Sequence, residues 1–327
     1  MNRDFIAFTT PETADVVTDS APSPGVGEVL VTVRHAGVNR ADMLQRLGLY
    51  PPPEDASPIP GLEVAGEVVA VGPECTHLQV KDRVCALTHG GGYASVAVAR
   101  EDHCLTLPDT LTTEQGAALP EALLTVWYNV FERGRLAKGE TVLIHGGSSG
   151  IGTIGVQMAR VMGATVISTA GSQQRCEAVQ TLGARFVANH REDNLAAQFE
   201  SAGFAGQVDV ILDIAGGDLM QTNLDLAAPD GRIVCIGVMR GMQSEINLAT
   251  LFMKRLTLTG STLRRLETTE RARCFDAIRE HIWPRVVAGH VRPIVDQTYP
   301  LTAVLDAHEH MRLGTHFGKL VLDCQVE

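Results

Sequence analysis

Hydrophobic positions in this chain follow two rhythms, and the change falls near residue 121. Before it, short runs alternate apolar and polar residues: Glu28–Val33 (EVLVTV), Gly66–Val71 (GEVVAV) and Tyr93–Ala99 (YASVAVA). A strand turns successive side chains to opposite faces, so each run predicts a short strand with one face in a core. Glycine and proline separate the runs, and the set reads as an irregular β-barrel or sandwich. The segment Tyr50–Pro60 (YPPPEDASPIP) carries five prolines in eleven residues. Proline has no N–H to donate, so this segment is an extended loop.

After residue 121, candidate strands alternate with helix-like segments. The strands are Thr141–His145, Thr165–Thr169, Arg185–Ala188, Val208–Asp213, Arg232–Ile236 and Leu256–Gly260. Ile151, Ile154, Met158, Val161 and Met162 recur at helical spacing and predict one apolar helix face. Strands joined by helical crossovers describe an α/β architecture with a doubly wound parallel sheet. Thr268–Gly289 and Thr302–Leu313 read as helices. Lys319–Leu322 reads as a strand long enough to return to the first domain. The expected division is 1–120 (first part of a β-rich domain), 121–265 (a dinucleotide-binding domain) and 266–327 (a helix and the return).

Charge and cysteine usage narrow the class. Lys and Arg number 27 against 38 Asp and Glu, a formal net charge of −11. An acidic chain repels phosphate backbones, which argues against a nucleic-acid partner. No apolar run approaches the roughly 18–20 residues of a membrane span, and MNRDFIAFTTPETADVV lacks the apolar stretch of an export signal. A cytoplasmic location with no membrane partner is expected. The seven cysteines form no CxxC pair, so they read as thiols of a reducing compartment rather than a zinc ribbon or redox pair.

The glycines carry the positive signal. The first strand after residue 121 runs into His145-Gly146-Gly147-Ser148-Ser149-Gly150-Ile151-Gly152, and a helix follows directly. Such a loop brings backbone N–H groups against a pyrophosphate at the positive end of a helix. The candidate cofactor residues here are Gly147, Ser148, Ser149, Gly150, Ile151 and Gly152. The strict Gly-x-Gly-x-x-Gly pattern is broken, because Ser149 holds the middle position. The second strand ends in Thr169-Ala170-Gly171-Ser172-Gln173-Gln174-Arg175, with no carboxylate to hold ribose hydroxyls. Gly171 leaves room, Ser172 can donate a hydrogen bond and Arg175 can pair with a 2′-phosphate, so NADPH is favoured over NADH. His190 is either a contact at the adenine end or a surface histidine. Gly216 and the pair Gly237 and Met239 follow the fourth and fifth strands, where ligands of such sheets collect. Asp213 reads as a structural hydrogen-bonding group.

Three further segments complete a resemblance: Gly37-Val38-Asn39-Arg40-Ala41-Asp42, Gly48-Leu49-Tyr50-Pro51-Pro52-Pro53 and Gly61-Leu62-Glu63-Val64-Ala65-Gly66. With the glycine loop, they resemble the medium-chain dehydrogenase/reductase family, and more closely its zinc-free quinone oxidoreductase branch, which includes zeta-crystallin. Thr169-Ala170-Gly171-Ser172-Gln173 and Gly318-Lys319-Leu320-Val321-Leu322 resemble the tumour-suppressor-inducible quinone oxidoreductase subgroup. The resemblance implies a GroES-like catalytic domain, a Rossmann-type domain inserted into it and an active site in the cleft. It also implies a homodimer paired through the region Leu256–Ser261. Zinc-containing relatives have cysteine where this chain has Asn39 and histidine where it has Leu62, and their third ligand position matches Glu121. Asn and Leu cannot make a zinc site, so no metal is expected.

The reaction expected from the resemblance is reduction of a quinone by NADPH. Asn39, Thr125 and Met239 would stand near the nicotinamide, and Tyr50 would orient a carbonyl oxygen or relay a proton. Asn39 and Tyr50 are thus the candidate catalytic residues, and a quinone or conjugated carbonyl is the expected substrate. Reduction of an enoyl thioester or enone is the alternative within the family. A non-catalytic NADPH-binding structural or sensor protein is the alternative from another class.

Overall fold

The computed structural model describes residues 1–192 and 194–325 and divides into two compact units. The first unit comprises Met1–Leu124, Arg264–Val287 and the chain from Pro293 onward; the second comprises Thr125–Leu263 and Ala288–Arg292.

The first unit is built on the strand Glu28–Val38. Along one edge it pairs antiparallel with Glu63–Val71. Along the other it pairs with Val96–Arg100 at its start and with Lys319–Asp323 at its end. Arg83–Leu87, Cys104–Thr106 and Val295–Pro300 complete a seven-stranded sheet. Val29, Val31, Val33, Val64, Val68, Val84 and Leu320 turn into one core. Leu320 lies opposite Val38, so the late strand closes against the early one. The hairpin Asn2–Thr10/Thr13–Ser20 had no signal, because the second strand exposes most of its residues and shows no apolar alternation. The run Tyr93–Ala99 enters the ladder only from Val96; Tyr93 and Ser95 instead accept from Ile6 N and Val33 N. The helix expected over Thr268–Gly289 is two helices, Thr268–His281 and Trp283–Val287. Pro284 lacks the N–H that a continuous helix needs there.

The second unit holds six parallel strands. Their spatial order is Phe186–Asn189, Thr165–Ala170, Thr141–Ile144, Val208–Asp213, Ala227–Cys235 and Thr257–Gly260. In chain order this is 3-2-1-4-5-6, the Rossmann arrangement, with its reversal between the first and fourth strands. The helix Gly150–Val161 corrects one expectation. Its burial is not confined to the apolar face: Gly152 to Ala159 are all buried, Ile154 and Met158 among them, while Ile151, Val161 and Met162 are only partly so. Gly155 packs towards Ile144 and Val126 on one side, and Gln157 donates to Arg292 O at 2.9 Å on another.

Candidate active site

In the second unit the glycine loop joins the strand Thr141–Ile144 to the helix Gly150–Val161. Ser149 is the helix N-cap, its Oγ accepting from Gly152 N at 3.0 Å. This explains the broken glycine pattern: the middle position has an ordinary φ of −78° and uses its hydroxyl as a cap. The outer glycines are required by space. A Cβ on Gly152 would collide with Gly146 O and lie 2.7 Å from Gly147 Cα; one on Gly147 would collide with Ser168 Oγ and lie 2.8 Å from Val179 Cγ1. Ser148, Gly150 and Ile151 complete the loop and the first turn, where helix N–H groups have no intrahelical acceptor. The arrangement fits a pyrophosphate.

Beside this loop the strand Thr165–Ala170 ends in Gly171 and Ser172. Ser172 caps the helix Gln173–Thr181, its Oγ accepting from Arg175 N at 3.3 Å, which places Arg175 in the first turn. Gly171 is buried, and a Cβ there would lie 3.3 Å from His190 Nε2 and 3.5 Å from Arg191 Nε. His190 and Arg191 therefore converge on the place where the sequence put a 2′-phosphate. Desolvation, then the charge of Arg191, and more weakly those of Arg240 and Arg175, hold the His190 pKa below its ordinary value. Arg191 escaped notice because it follows a different strand. Its only signal was adjacency to His190.

A buried polar chain crosses the carboxyl ends of the central strands. Asp213 Oδ1 accepts from Ala215 N at 2.7 Å and Gly216 N at 3.0 Å, and Oδ2 accepts from Asn223 Nδ2 at 3.1 Å. Asn223 Oδ1 lies 2.7 Å from His145 Nε2. Asn223 has its amide nitrogen on Asp213, so His145 carries its proton on Nε2 and accepts from Thr169 Oγ1 on Nδ1, at 3.3 Å. Burial lowers the His145 pKa and keeps it neutral. The chain sets the Asp213–Gly216 turn, in which Gly216 has φ +61°. Gly237 passes so close that a Cβ would lie 2.6 Å from Ile214 O, while Met239 stands 56% exposed. Thr125 is buried at the start of the unit, and its carbonyl accepts from Asn129 Nδ2 at 2.8 Å. The helical turns that follow, Trp127–Arg133, are wider by one residue, Gly134 N bonding Asn129 O, a bulge of the kind frequent at functional sites.

Asn39 and Tyr50 belong to the first unit, where Asn39 sits in a buried network. Its Nδ2 donates to Glu63 Oε1 at 2.9 Å, and its Oδ1 accepts from Lys319 Nζ at 2.6 Å. Lys319 Nζ also pairs with Glu63 Oε1, and Glu63 Oε2 accepts from Glu121 N at 2.9 Å. Glu63 has no exposed surface and Lys319 only 5%. Burial alone would lower the lysine pKa; Glu63, followed by Glu121, outweighs it and the pKa ends above the ordinary value. The network fixes the Asn39 amide: its oxygen is taken by an ammonium and one amide hydrogen by a carboxylate. The second Nδ2 hydrogen is what Asn39 can offer a ligand.

One turn further, Asp42 is buried and accepts from Asn39 N, Gly61 N and the Tyr93 hydroxyl. His308 Nε2 lies 3.2 Å from the same hydroxyl, and burial pushes His308 down to about 3. The same effect raises Asp42 to about 6, against an ordinary value near 3.8. A raised carboxyl pKa favours the protonated fold, so Asp42 costs stability as pH rises from about 4 through 6. The expected result is that wild type loses about 2–3 kcal/mol relative to Asp42→Asn between pH 4 and pH 7, read from paired denaturant titrations. An unchanged difference contradicts the assignment. Tyr50 closes the loop after the helix Arg40–Arg46, its N–H bonding Leu44 O. The Arg264 guanidinium lies 4.6 Å over its ring and donates to its carbonyl at 2.9 Å.

A Rossmann unit with a glycine loop that fits a phosphate, in a chain whose other unit is a GroES-like sheet drawn from both ends of the sequence, defines a nicotinamide-dependent oxidoreductase. The chain belongs to the medium-chain dehydrogenase/reductase family. Residues 25–109 match the alcohol dehydrogenase GroES-like domain and residues 150–279 the zinc-binding dehydrogenase domain. The quinone oxidoreductase of Mus musculus is 34% identical over 320 residues, covering 96% of this chain and 95% of the relative. The Escherichia coli quinone oxidoreductase, solved in complex with NADPH, superimposes with a TM-score of 0.84 at 29% identity, covering 99% of this chain and all of the other. CurK enoyl reductase superimposes with a TM-score of 0.85 at 26% identity, covering 98% and 99%.

The second domain's description raises the question of zinc, and the donor set does not fit it. No group of three or more His, Cys, Asp or Glu side chains among the described residues could hold a metal ion. The carboxylate that accepts from the Asn39 amide, Glu63, already holds the Lys319 ammonium.

Proposed function

We propose that this protein is a metal-independent NADPH:quinone reductase. The observation that carries this reading is the Asn39–Glu63–Lys319 network, in which a buried cation already engages the polar groups that a metal would need. Without a Lewis acid to hold an alkoxide, alcohol oxidation is a poor fit. An acceptor that takes hydride readily, a quinone above all, fits better. NADPH fits the glycine loop through Gly147–Gly152, and its 2′-phosphate the group Gly171, Ser172, Arg175, His190 and Arg191. When bound, the nicotinamide supplies the hydride. Asn39 offers one amide hydrogen for orientation, and Thr125, Gly216, Gly237 and Met239 are the further positions we assign to the nicotinamide half. Tyr50 holds an acceptor oxygen and gives its hydroxyl proton to the oxyanion that hydride addition leaves, and solvent restores that proton. The protein's contribution is placement more than acid–base strength.

The likeness to CurK enoyl reductase favours one second reading, reduction of an enoyl thioester on the same framework. A steady-state panel with NADPH and with NADH separates the two, using ortho- and para-quinones, crotonyl-CoA and a simple enone. Quinone turnover with NADPH is expected; turnover confined to the thioester would sink the quinone reading. In the same assay Arg175→Ala should raise the NADPH KM about tenfold and leave that for NADH nearly unchanged, the loss of one charge-assisted contact. Equal losses would remove Arg175 from the 2′-phosphate site.

A further inference from the structure

Within the first unit, the loop Tyr50–Pro53 and the segment Arg264–Arg271 enclose a pocket of about 480 Å3. Its walls are of two kinds. One is flat and apolar: the Tyr50 ring and the pyrrolidines of Pro51, Pro52 and Pro53. The other is cationic: Arg264, Arg265 and Arg271. The three arginines differ in how their charge is met. Arg271 is buried, donates to Arg264 O at 3.1 Å, lies 3.3 Å from His89 Nδ1 and feels the carboxylates of Asp55 and Glu267. Those two carboxylates are the acidic groups of the pocket lining. Arg264 is bound to neutral acceptors instead. It donates to Tyr50 O at 2.9 Å and to Gln45 Oε1 at 2.6 Å. Gln45 is held in turn by its own bond to Pro58 O at 2.9 Å. A guanidinium has five N–H donors, and these bonds use two. The carboxyl whose charge Arg264 does feel, Asp42, is buried and already bonded to Asn39 N, Gly61 N and Tyr93. Arg264 is therefore a half-buried, rigidly held cation with N–H groups to spare and, among the described residues, no carboxylate of its own, its guanidinium 4.6 Å from the centre of the Tyr50 ring.

We propose that Arg264, with Arg265 at the rim, is a subsite for an anionic oxygen group on the acceptor. The ligand class is a planar conjugated carbonyl compound bearing a carboxylate, sulfonate or phosphate. The guanidinium takes the anion, and the Tyr50 and proline faces take the ring. The proposal deepens the quinone reading, because it rests on Tyr50 meeting the acceptor and adds that acidic acceptors are preferred to neutral ones.

The test compares 1,2-naphthoquinone with 1,2-naphthoquinone-4-sulfonate in wild type, Arg264→Met and Arg264→Lys. It adds calorimetric binding of the unreactive naphthalene-2-sulfonate to the NADPH-loaded protein. Arg264→Met should lower the ratio of kcat/KM, sulfonated over neutral, at least tenfold, and Arg264→Lys should recover part of it. The ratio cancels any disturbance of Tyr50 that affects both substrates. A ratio unchanged in Arg264→Met, or no binding of the sulfonate probe to wild type, overturns the subsite. Arg264-dependent binding of the probe in a protein that reduces neither quinone sustains the subsite and overturns the quinone reading.

Discussion

Gly152→Ala is expected to abolish tight NADPH binding, with a loss of at least about 100-fold in affinity. The single added carbon would meet Gly146 O and Gly147 Cα, both backbone atoms of the cofactor loop itself. A rotamer change cannot relieve a backbone clash, so the loop must shift. Its N–H groups would then no longer converge on the pyrophosphate. Two lost charge-assisted hydrogen bonds, at about 1.5–3 kcal/mol each, account for the magnitude. Fluorescence titration with NADPH reads the affinity, and far-UV circular dichroism shows whether the fold is intact. A folded Gly152→Ala protein that binds NADPH as wild type does would remove the pyrophosphate from this loop.

The second large effect concerns Lys319→Met. It would leave the Glu63 carboxylate with no exposed surface and, among the described residues, no cation, supported by the Asn39 amide and Glu121 N. Breaking one partner of a buried ion pair costs about 3–5 kcal/mol, because the stranded charge keeps its desolvation penalty. Glu63→Gln strands the ammonium and should cost a comparable amount. The double variant Lys319→Met/Glu63→Gln removes both charges, and should be more stable than either single variant. Denaturant titration of the four proteins gives the cycle. Additive losses, or a cost below about 1 kcal/mol for Lys319→Met, would mean that the pair is not the buried unit described. The same cycle bears on function. Quinone kcat/KM should fall in Lys319→Met beyond what the folded fraction explains, because the Asn39 amide loses the contact that sets its orientation.

Much of the second unit could be read from the chain because its information is local. A strand, a glycine loop and a helix follow one another within about twenty residues, and Val208–Asp213 is a strand bounded as expected and buried at every position except Asp209. Asp213, read as a structural group, holds the turn to Gly216. What escaped were pairs formed across the chain. Lys319 and Glu63 are 256 residues apart, and Arg264 and Tyr50 are 214 apart. No spacing rule joins such residues. Lys319 did carry a trace, a lone charge leading an apolar strand, where an unpaired ammonium would be costly. The strand Ala227–Cys235 began earlier than Arg232 because its pairing skips residues: Val208 faces Ala227, while Val210 faces Arg232. The intervening Asp230 is left-handed, at φ +62°, which the Pro-Asp-Gly sequence allows but which masks the strand's start. His308 and His310, two residues apart, show how burial separates neighbours: His308 is enclosed beside Tyr93, and His310 bonds Tyr299.

If the proposed function holds, hydride reaches a quinone here with a lysine ammonium, and no metal, bound to the Asn39 amide. The most direct measurement is NADPH-dependent reduction of 1,2-naphthoquinone by protein exhaustively treated with a strong chelator, with metal content read by mass spectrometry on the same sample. Full activity at less than one metal per ten chains is expected. Activity lost on chelation and restored by zinc would contradict it.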